Sequence, residues 1–461
     1  MDKKLIKNAT IISVDPDIGD IIGGDILIDG TKIVEIGMNL EAQDAEVIDA
    51  TNCIAIPGFI DTHRHTWESL LRTAGPDWSL AQYFTGVRGV MGSIYTPNDI
   101  KIANELGALD SLDGGITTLF DWSHCNNSPD HADAAIEGLR ASGIRGVFGY
   151  GNSNDEWAVP SDLPSDWDDI RRVRRDVLSS DDALVTMATA PRGPQFTNIE
   201  GTTKDFDLAR ELGLRISVHV GDGLWGMSKP LVDLKNAGLL GEDVTYVHCN
   251  TLADEEFKII GDSGGHVSIS PEIEMQMGHG NPPALRMLGA GIRPSLSSDV
   301  VTTCPSDFFN AMRHLLSGTR LMVNMVALEN KKLVDPLPLS CRETLEFATI
   351  RGAAACGLDH KTGSLTLGKE ADIVLVSTNY LNMFPVNNPI AAVVEFANVG
   401  NIDTILVAGE VKKRNGKLVG LDIGAFRSKV DAARDDLFAR AGVPTDGSWE
   451  VRPYTEGLSE F

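Results

Sequence analysis

The sequence predicts an α/β protein: a (β/α)8 TIM-like barrel carrying a small β-sandwich domain formed from both chain ends. Three observations predict it. Between Phe59 and Asp299, eight short apolar runs alternate with helical stretches, the pattern of parallel β/α units. Before Pro57 and after Gly363 the texture is instead β-branched runs with tight turns and few helical patterns. At 461 residues, the chain has room for a barrel of roughly 250–300 residues and a smaller unit beside it.

The expected organisation is a first sandwich part over 1–56, a barrel over 57–359, a second sandwich part over 360–420 and a helical tail over 421–461. In the first part Thr10 to Val14, Asp25 to Ile28 and Lys32 to Ile36 read as strands, and Asp29-Gly30 between two of them is a hairpin signal. The barrel strands are expected at Phe59-Ile60, Ile116–Asp121, Gly146–Tyr150, Ala183–Ala188, Arg215–His219, Val244–His248, His266–Ser270 and Pro294–Asp299. Helices are expected from Pro97 toward Asp113, over His131–Ser142, Lys204–Leu212 and Asp254–Asp262, and within 306–357. Ala371–Val376 and Thr404–Gly409 return the chain to strands that pair with residues 1–56. Phe426, Val430, Ala433 and Leu437 fall on one face of a tail helix.

Asp and Glu outnumber Lys and Arg by 65 to 40, a formal net charge of −25. That balance argues against nucleic acid or an anionic membrane as partner, since both require clustered basic residues. The six cysteines lie far apart and form no CxxC pair, so neither a disulfide framework nor a metal knuckle is expected. No leader-like or membrane-spanning apolar run is evident, and the expected setting is cytoplasmic.

The chemistry gathers at strand ends. His63 and His65 are spaced i and i+2, so on an extended backbone both imidazoles face one side and reach a single ion; the plain alternative is that they cap a loop. His219, His248 and Asp299 end three later strands. Active sites of β/α barrels lie at that rim, and five metal-compatible side chains converging there point to a catalytic centre. Three imidazoles, one carboxylate and an open position for water are a catalytic ligand set, and a divalent cation so held makes a nucleophile of water at neutral pH.

These residues lie in motifs that resemble the amidohydrolase superfamily, in the branch of cytosine deaminase, S-adenosylhomocysteine/methylthioadenosine deaminase and the triazine hydrolases (chlorohydrolases). The matching stretches are Pro57-Gly58-Phe59-Ile60-Asp61-Thr62-His63-Arg64-His65, His219, His248-Cys249-Asn250-Thr251-Leu252-Ala253-Asp254-Glu255-Glu256, Ser270-Pro271-Glu272, Ser298-Asp299 and Gly363-Ser364-Leu365-Thr366-Leu367-Gly368-Lys369-Glu370-Ala371-Asp372-Ile373-Val374. The resemblance implies that His63, His65, His219 and Asp299 bind one zinc ion, or iron(II). It implies that His248 hydrogen-bonds the reacting water and that Asp299 also moves its proton to the leaving group. No lysine stands at the end of the fourth strand to bridge a second metal, so one ion is implied. The family also implies a homo-oligomer, a dimer or tetramer.

One position departs. Deaminases of this branch carry a glutamate three residues after the fifth-strand histidine, and this chain has Asp222 there. Asp222 either does the same acid work for a more deeply seated substrate or only caps its loop. The expected pocket walls are Trp67, Trp78, Trp122, Arg192, Gln195, Trp225, Glu272 and His279, with the tryptophans offering faces to a flat ring or simply packing the rim. The expected function is a metal-dependent hydrolase acting on a non-peptide carbon–nitrogen bond of a small N-heterocyclic molecule and releasing ammonia or an amine. The alternatives are an amide, urea or carbamate hydrolase, displacement of a ring substituent, and a scaffold without activity.

Overall fold

The protein is described from a computed structural model, over residues 3–153 and 165–451. Eight parallel strands form the barrel: β1 (Phe59–Arg64), β2 (Ile116–Ser123), β3 (Arg145–Gly151), β4 (Val185–Ala190), β5 (Ile216–Val220), β6 (Val244–His248), β7 (His266–Ile269) and β8 (Ser295–Leu296). They neighbour one another in chain order. Every residue of β1 to β6 is buried. Strands covered on both faces read as continuous apolar runs, which is why these segments lack a period-two alternation.

The barrel closes between β8 and β1. Thr62 Oγ1 donates to the Leu296 carbonyl at 2.9 Å, and Arg64 and Asp299 form a parallel bridge. The Asp299 N–H donates to the His63 carbonyl at 3.0 Å, and the His65 N–H to the Asp299 carbonyl at 2.9 Å. The closing seam therefore runs through the stretch richest in chemistry. β8 itself is two residues long rather than the six expected, and the chain meets the ladder again only at Asp299, which takes φ 60° and bridges Arg64. β1, by contrast, extends to Arg64, so His63 sits inside a strand.

Helices cover the barrel and start on recognisable caps. Pro97–Asp113 opens with a reciprocal cap: the Thr96 side chain accepts from Asp99 N–H, and the Asp99 carboxylate accepts from Thr96 N–H at 2.8 Å. Pro129–Ser142 ends on Gly143, whose φ of 72° suits glycine. The helix expected from Lys204 begins earlier, at Ile199, because the Asn198 side chain accepts from Gly201 N–H at 2.8 Å. At the barrel floor the short helix Ile350–Ala355 packs under β1. Gly352 permits this approach, since a Cβ there would lie 2.8 Å from that of Ile60.

Both chain ends build a separate nine-stranded mixed sheet. Cys53–Pro57 from the first half pairs antiparallel with Ile373–Ser377 from the second, Ile54 opposite Val376. This sheet buries its own core, including Ile6, Ile26, Ile28, Leu365, Ile373 and Leu406. It meets the barrel at Arg145, whose guanidinium donates to Asp372 at 2.8 Å and to Glu370 at 2.5 Å. The tail helix, Ile423–Ala441, buries Ala433, Leu437 and Phe438 and lies against Pro97–Asp113, with Lys429 paired to Glu105 at 2.7 Å. Residues beyond it return toward the barrel mouth, where Trp449 stands edge-on to Trp78 at 4.7 Å.

Candidate active site

The rim of the barrel gathers the five singled-out side chains. His63 Nε2 lies 3.3 Å and His65 Nε2 3.5 Å from Asp299 Oδ1, and His248 Nε2 lies 3.9 Å from Asp299 Oδ2. The His219 ring centroid is 4.7 Å from that of His63 and 5.3 Å from that of His248. The backbone is bent to achieve this: His248, Cys249 and Asp299 take φ of 74°, 64° and 60°. Non-glycine residues adopt that region at a cost of about 1–3 kcal/mol, which the surrounding structure must hold.

The donor set fits a cation. His65 Nδ1 lies 2.9 Å from the Trp122 carbonyl, which only accepts, so the proton sits on Nδ1 and the Nε2 lone pair faces Asp299. Both ring nitrogens of His63 are buried without a hydrogen-bond partner. Burial holds the His63, His65 and His219 imidazoles below their ordinary range, hence neutral, the state that ligates metals. For Asp299, burial acts upward, but His63, His248 and His65 outweigh it and hold the carboxyl well below the usual carboxylate range. Two acceptors on two imidazoles and a carboxylate facing one another need a positive centre between them. His63, His65 and Asp299 lie within ligand distance of one point, as do His63, His219 and His248.

The residues behind this set hold it in place. Asp61 accepts from His63 N–H at 3.3 Å and from Ser298 N–H at 3.1 Å, tying β1 to the turn that carries Asp299. Arg64 points outward into the barrel wall and donates to Ser111 Oγ at 2.7 Å and to Asp110 at 3.2 Å. Glu274 accepts from Ser270 N–H at 2.7 Å and meets His248 Nδ1 at 3.1 Å. Burial draws the His248 imidazole down, but Glu274, Asp299 and Asp222 push it up to about 9.

A cavity of about 780 Å³, counting its solvent-open mouth, stands over these groups. Of the expected wall residues it brings in Trp122, Arg192 and His279, together with Asp222. Trp122 packs on the imidazoles as well as lining the cavity, its ring 4.5 Å from His219 and 5.5 Å from His65. Five expected contacts lie elsewhere. Trp67 is fully buried behind the wall and donates to His124 Nδ1 at 2.8 Å. Trp78 packs on Trp449. Trp225 stands behind Phe84, edge-on at 5.0 Å. Gln195 turns to accept from Asp222 N–H at 3.0 Å. Glu272 leaves the cavity because it opens the helix Pro271–Met277, whose inward face carries Glu274; it lies 3.8 Å from His314 instead.

The cavity also holds residues that sequence reasoning missed. Leu80, Tyr83, Phe84 and Arg88 come from the helical segment after the first histidine pair, Phe196 follows β4, and Asn152 and Ser153 follow β3. The signal was present in the first group: Leu80, Tyr83, Phe84, Val87 and Met91 recur at helical spacing.

Comparison with known proteins places the chain in a family. The amidohydrolase family model matches residues 54–412. The chain is 26% identical over 440 residues to a 5-methylthioadenosine/S-adenosylhomocysteine deaminase of Caldicellulosiruptor saccharolyticus, covering 92% of this chain and 96% of that protein. It is 26% identical over 447 residues to a 5'-deoxyadenosine deaminase of Methanosarcina mazei, covering 95% and 98%. Among solved structures, an adenosine deaminase of Xanthomonas campestris with bound zinc has a TM-score of 0.83 at 20% identity, over 95% of this chain and 99% of that one. A zinc complex of atrazine chlorohydrolase from Arthrobacter aurescens has a TM-score of 0.81 at 23% identity, over 93% and 99%. The family model spans the barrel and both halves of the strand pair that joins the chain ends, and on that ground the chain belongs to the amidohydrolase family, hydrolases of carbon–nitrogen bonds other than peptide bonds.

Proposed function

We propose that this protein is a mononuclear metal-dependent hydrolase that releases ammonia, or an amine, from an sp² carbon of a small N-heterocycle, with hydrolytic deamination as its leading reaction. The observation that carries the proposal is the cluster of His63, His65 and His219, three neutral imidazoles gathered at the Asp299 carboxylate, with both nitrogens of His63 buried and outside any aligned hydrogen bond. His63, His65, His219 and Asp299 would hold the ion, zinc first and iron(II) second, since nitrogen and oxygen donors suit both. Such an ion, when bound, supplies Lewis acidity and makes water nucleophilic near neutral pH. The chain does the rest. Asp299 takes a proton from the attacking water and gives it to the departing nitrogen. His248, fixed through Nδ1 by Glu274, offers Nε2 to the oxygen that gains charge. Two relatives named as deaminases of adenine nucleosides support this chemistry.

The reading is tested by metal analysis and a substrate panel. Purified protein is expected to carry about one equivalent of zinc or iron per chain. It is expected to release ammonia from at least one of 5'-deoxyadenosine, 5'-methylthioadenosine, adenosine, a 2-aminopteridine or an amino-1,3,5-triazine. Metal-free protein that stays inert after zinc is added back overturns it. A second reading, hydrolysis of an amide, urea or carbamate bond, is favoured by one observation: Asp222 is engaged by a neighbouring histidine rather than free to act as an acid.

We further read the protein as a cytoplasmic homo-oligomer, a dimer or tetramer. Among the described residues all six cysteines are free, in keeping with a reducing compartment. An exposed apolar run along Leu321, Met325, Val326, Leu328 and Leu333 supports self-association. Among the described residues no helix is long and apolar enough to cross a membrane.

A further inference from the structure

On the side of His248 away from Glu274 there is a second carboxylate–imidazole pair, its ligand atoms within 4.8 Å of those of His248. Asp222 Oδ1 lies 2.9 Å from His279 Nδ1, and both side chains are buried. The contact is close but off hydrogen-bond alignment, so Asp222 Oδ1 and both ring nitrogens of His279 are buried without a hydrogen-bond partner, and His279 itself lines the cavity. The loops carrying the two residues are joined, since the Gly223 N–H donates to the His279 carbonyl at 3.0 Å. Gln195 fixes the Asp222 backbone from a third element. The His279 ring stands edge-on to His248, centroids 4.7 Å apart. His248 is placed comparably, with Glu274 hydrogen-bonded at Nδ1 and Nε2 directed inward.

Two imidazoles, each with a carboxylate at Nδ1, thus face one substrate space. One serves the oxygen. We propose that the other, His279, is the catalytic residue that protonates the heterocycle's ring nitrogen, and that Asp222 is the positioning residue that orients and charge-balances it. This deepens the deaminase reading and rests on it. The usual place for the acid, three residues after His219, holds a side chain one methylene shorter, and the imidazole makes up the missing reach. Burial raises the Asp222 carboxyl and His279 lowers it further, so Asp222 is an anion, suited to hold an imidazolium and poorly suited to donate a proton itself.

Water oxygen bonds to the amino-bearing carbon as the ring C=N π pair moves onto nitrogen, which takes the Nε2 proton of His279. The proton leaving the water passes through Asp299 to the amino group. The carbon–nitrogen bond then breaks, ammonia departs, and the remaining hydroxyl proton returns to His279 as the carbonyl forms. The groups facing His279 are Asp222 and His248, with Asp299 and Glu274 behind the latter.

The test uses zinc-loaded enzyme with 5'-deoxyadenosine, 5'-methylthioadenosine and adenosine. His279→Asn and His279→Gln are expected to lower kcat about 100-fold with KM nearly unchanged and zinc retained. Asp222→Asn is expected to cost about tenfold, and the Asp222→Asn/His279→Asn double variant to be no worse than His279→Asn, because the pair acts as a unit. Near-normal kcat in both His279 variants with a large loss in Asp222→Asn overturns the proposal and gives the proton to Asp222. Loss of zinc in both His279 variants also overturns it. A readout independent of turnover is the imidazole N–H spectrum of ¹⁵N-histidine-labelled protein. A low-field Nδ1 proton is expected in the wild type and in neither Asp222→Asn nor His279→Asn; its persistence in Asp222→Asn overturns the pairing. Wild-type enzyme silent on these three nucleosides and on the 2-aminopteridine and amino-1,3,5-triazine of the wider panel, with that resonance present, overturns the deaminase reading and the protonation step while the pair stands.

Discussion

The two sides of the cavity are built from different materials. The metal-compatible side hangs on the barrel itself: His63 lies within β1, His219 within β5, His248 ends β6, and Asp299 is stitched to β1 by two backbone hydrogen bonds. The facing side, Asp222 and His279, stands on loops, and glycines flank both residues: Gly221, Gly223, Gly278 and Gly280 all have positive φ. Strands hold a ligand set within the small tolerance a metal demands, whereas loops permit the approach of a substrate. The proposed roles fit that difference: fixed geometry for the ion, adjustable geometry for the substrate.

The sharpest way to break this comparison is to remove the fixed side. His63→Ala and Asp299→Ala are each expected to lose bound metal and to bring ammonia release to background. Metal analysis beside the assay checks this; a variant with full metal and full turnover would detach the rim cluster from the chemistry. Next in size is Glu274→Gln. It keeps the metal ligands untouched but frees the His248 ring. A 10–100-fold fall in kcat, at constant metal content, is the usual size for losing such a partner. If metal is lost as well, His248 belongs to the ligand set rather than beside it.

The contrast also explains what was legible beforehand. His63, His65, His219, His248 and Asp299 were readable because strand ends are marked by apolar runs, and strand spacing converts directly into facing side chains. β8 is shorter than expected, yet the Arg64–Asp299 bridge keeps the Asp299 carboxylate on the rim. Glu274 was missed for a helical reason: Ser270-Pro271-Glu272 marks the start of a helix, and the residue facing inward comes two positions later. The tryptophans misled because bulk and flatness suit a rim core as well as a ligand. Trp67 is entirely buried, and Trp78 spends its surface on Trp449, a partner nearly four hundred residues away in the chain. No local pattern announces a contact of that sequence separation. His279, between glycines and outside every strand, could be noticed but not placed.

A smaller perturbation probes the loop side. Gly280 has φ 138°, and a Cβ there would meet Asn250 Cβ and Thr251 Cγ2 at 3.0 Å. Gly280→Ala is therefore strained in backbone and crowded in space, and it displaces His279 without changing its chemistry. The expected result is a loss of about tenfold in kcat with the metal retained, in keeping with the cost of misplacing a reacting group by a fraction of an ångström to an ångström. The same size of change on the strand side, where Gly58 faces Thr117 Oγ1 at 2.0 Å from a built Cβ, is expected to hit folding instead. Soluble yield and metal content separate the two outcomes.

The smallest effect on rate, and the cleanest on stability, is expected behind the metal side. Arg64 ends β1 between His63 and His65 and is wholly buried, with its charge met by Asp110 at 3.2 Å. Arg72 reaches the same carboxylate at 3.1 Å. Burial pushes the Asp110 carboxyl up, but these two guanidinium groups prevail and hold it below its ordinary value. A carboxyl depressed in the folded state binds its proton less readily there than in the unfolded chain. Its stabilisation is therefore complete above the unfolded value of about 4 and is lost as pH falls through the folded value. Asp110→Asn removes this term and leaves Arg64 buried without its counter-charge. We expect it to be less stable than wild type by about 2 kcal/mol at pH 7, with kcat within about twofold because neither group reaches the cavity. Denaturant melts at stepped pH check the sign: the gap between the two proteins should close as the pH drops below about 4. A gap that instead widened in acid would mean that Asp110 is protonated in the native wall, and that the strand carrying His63 and His65 is braced by something other than its charge.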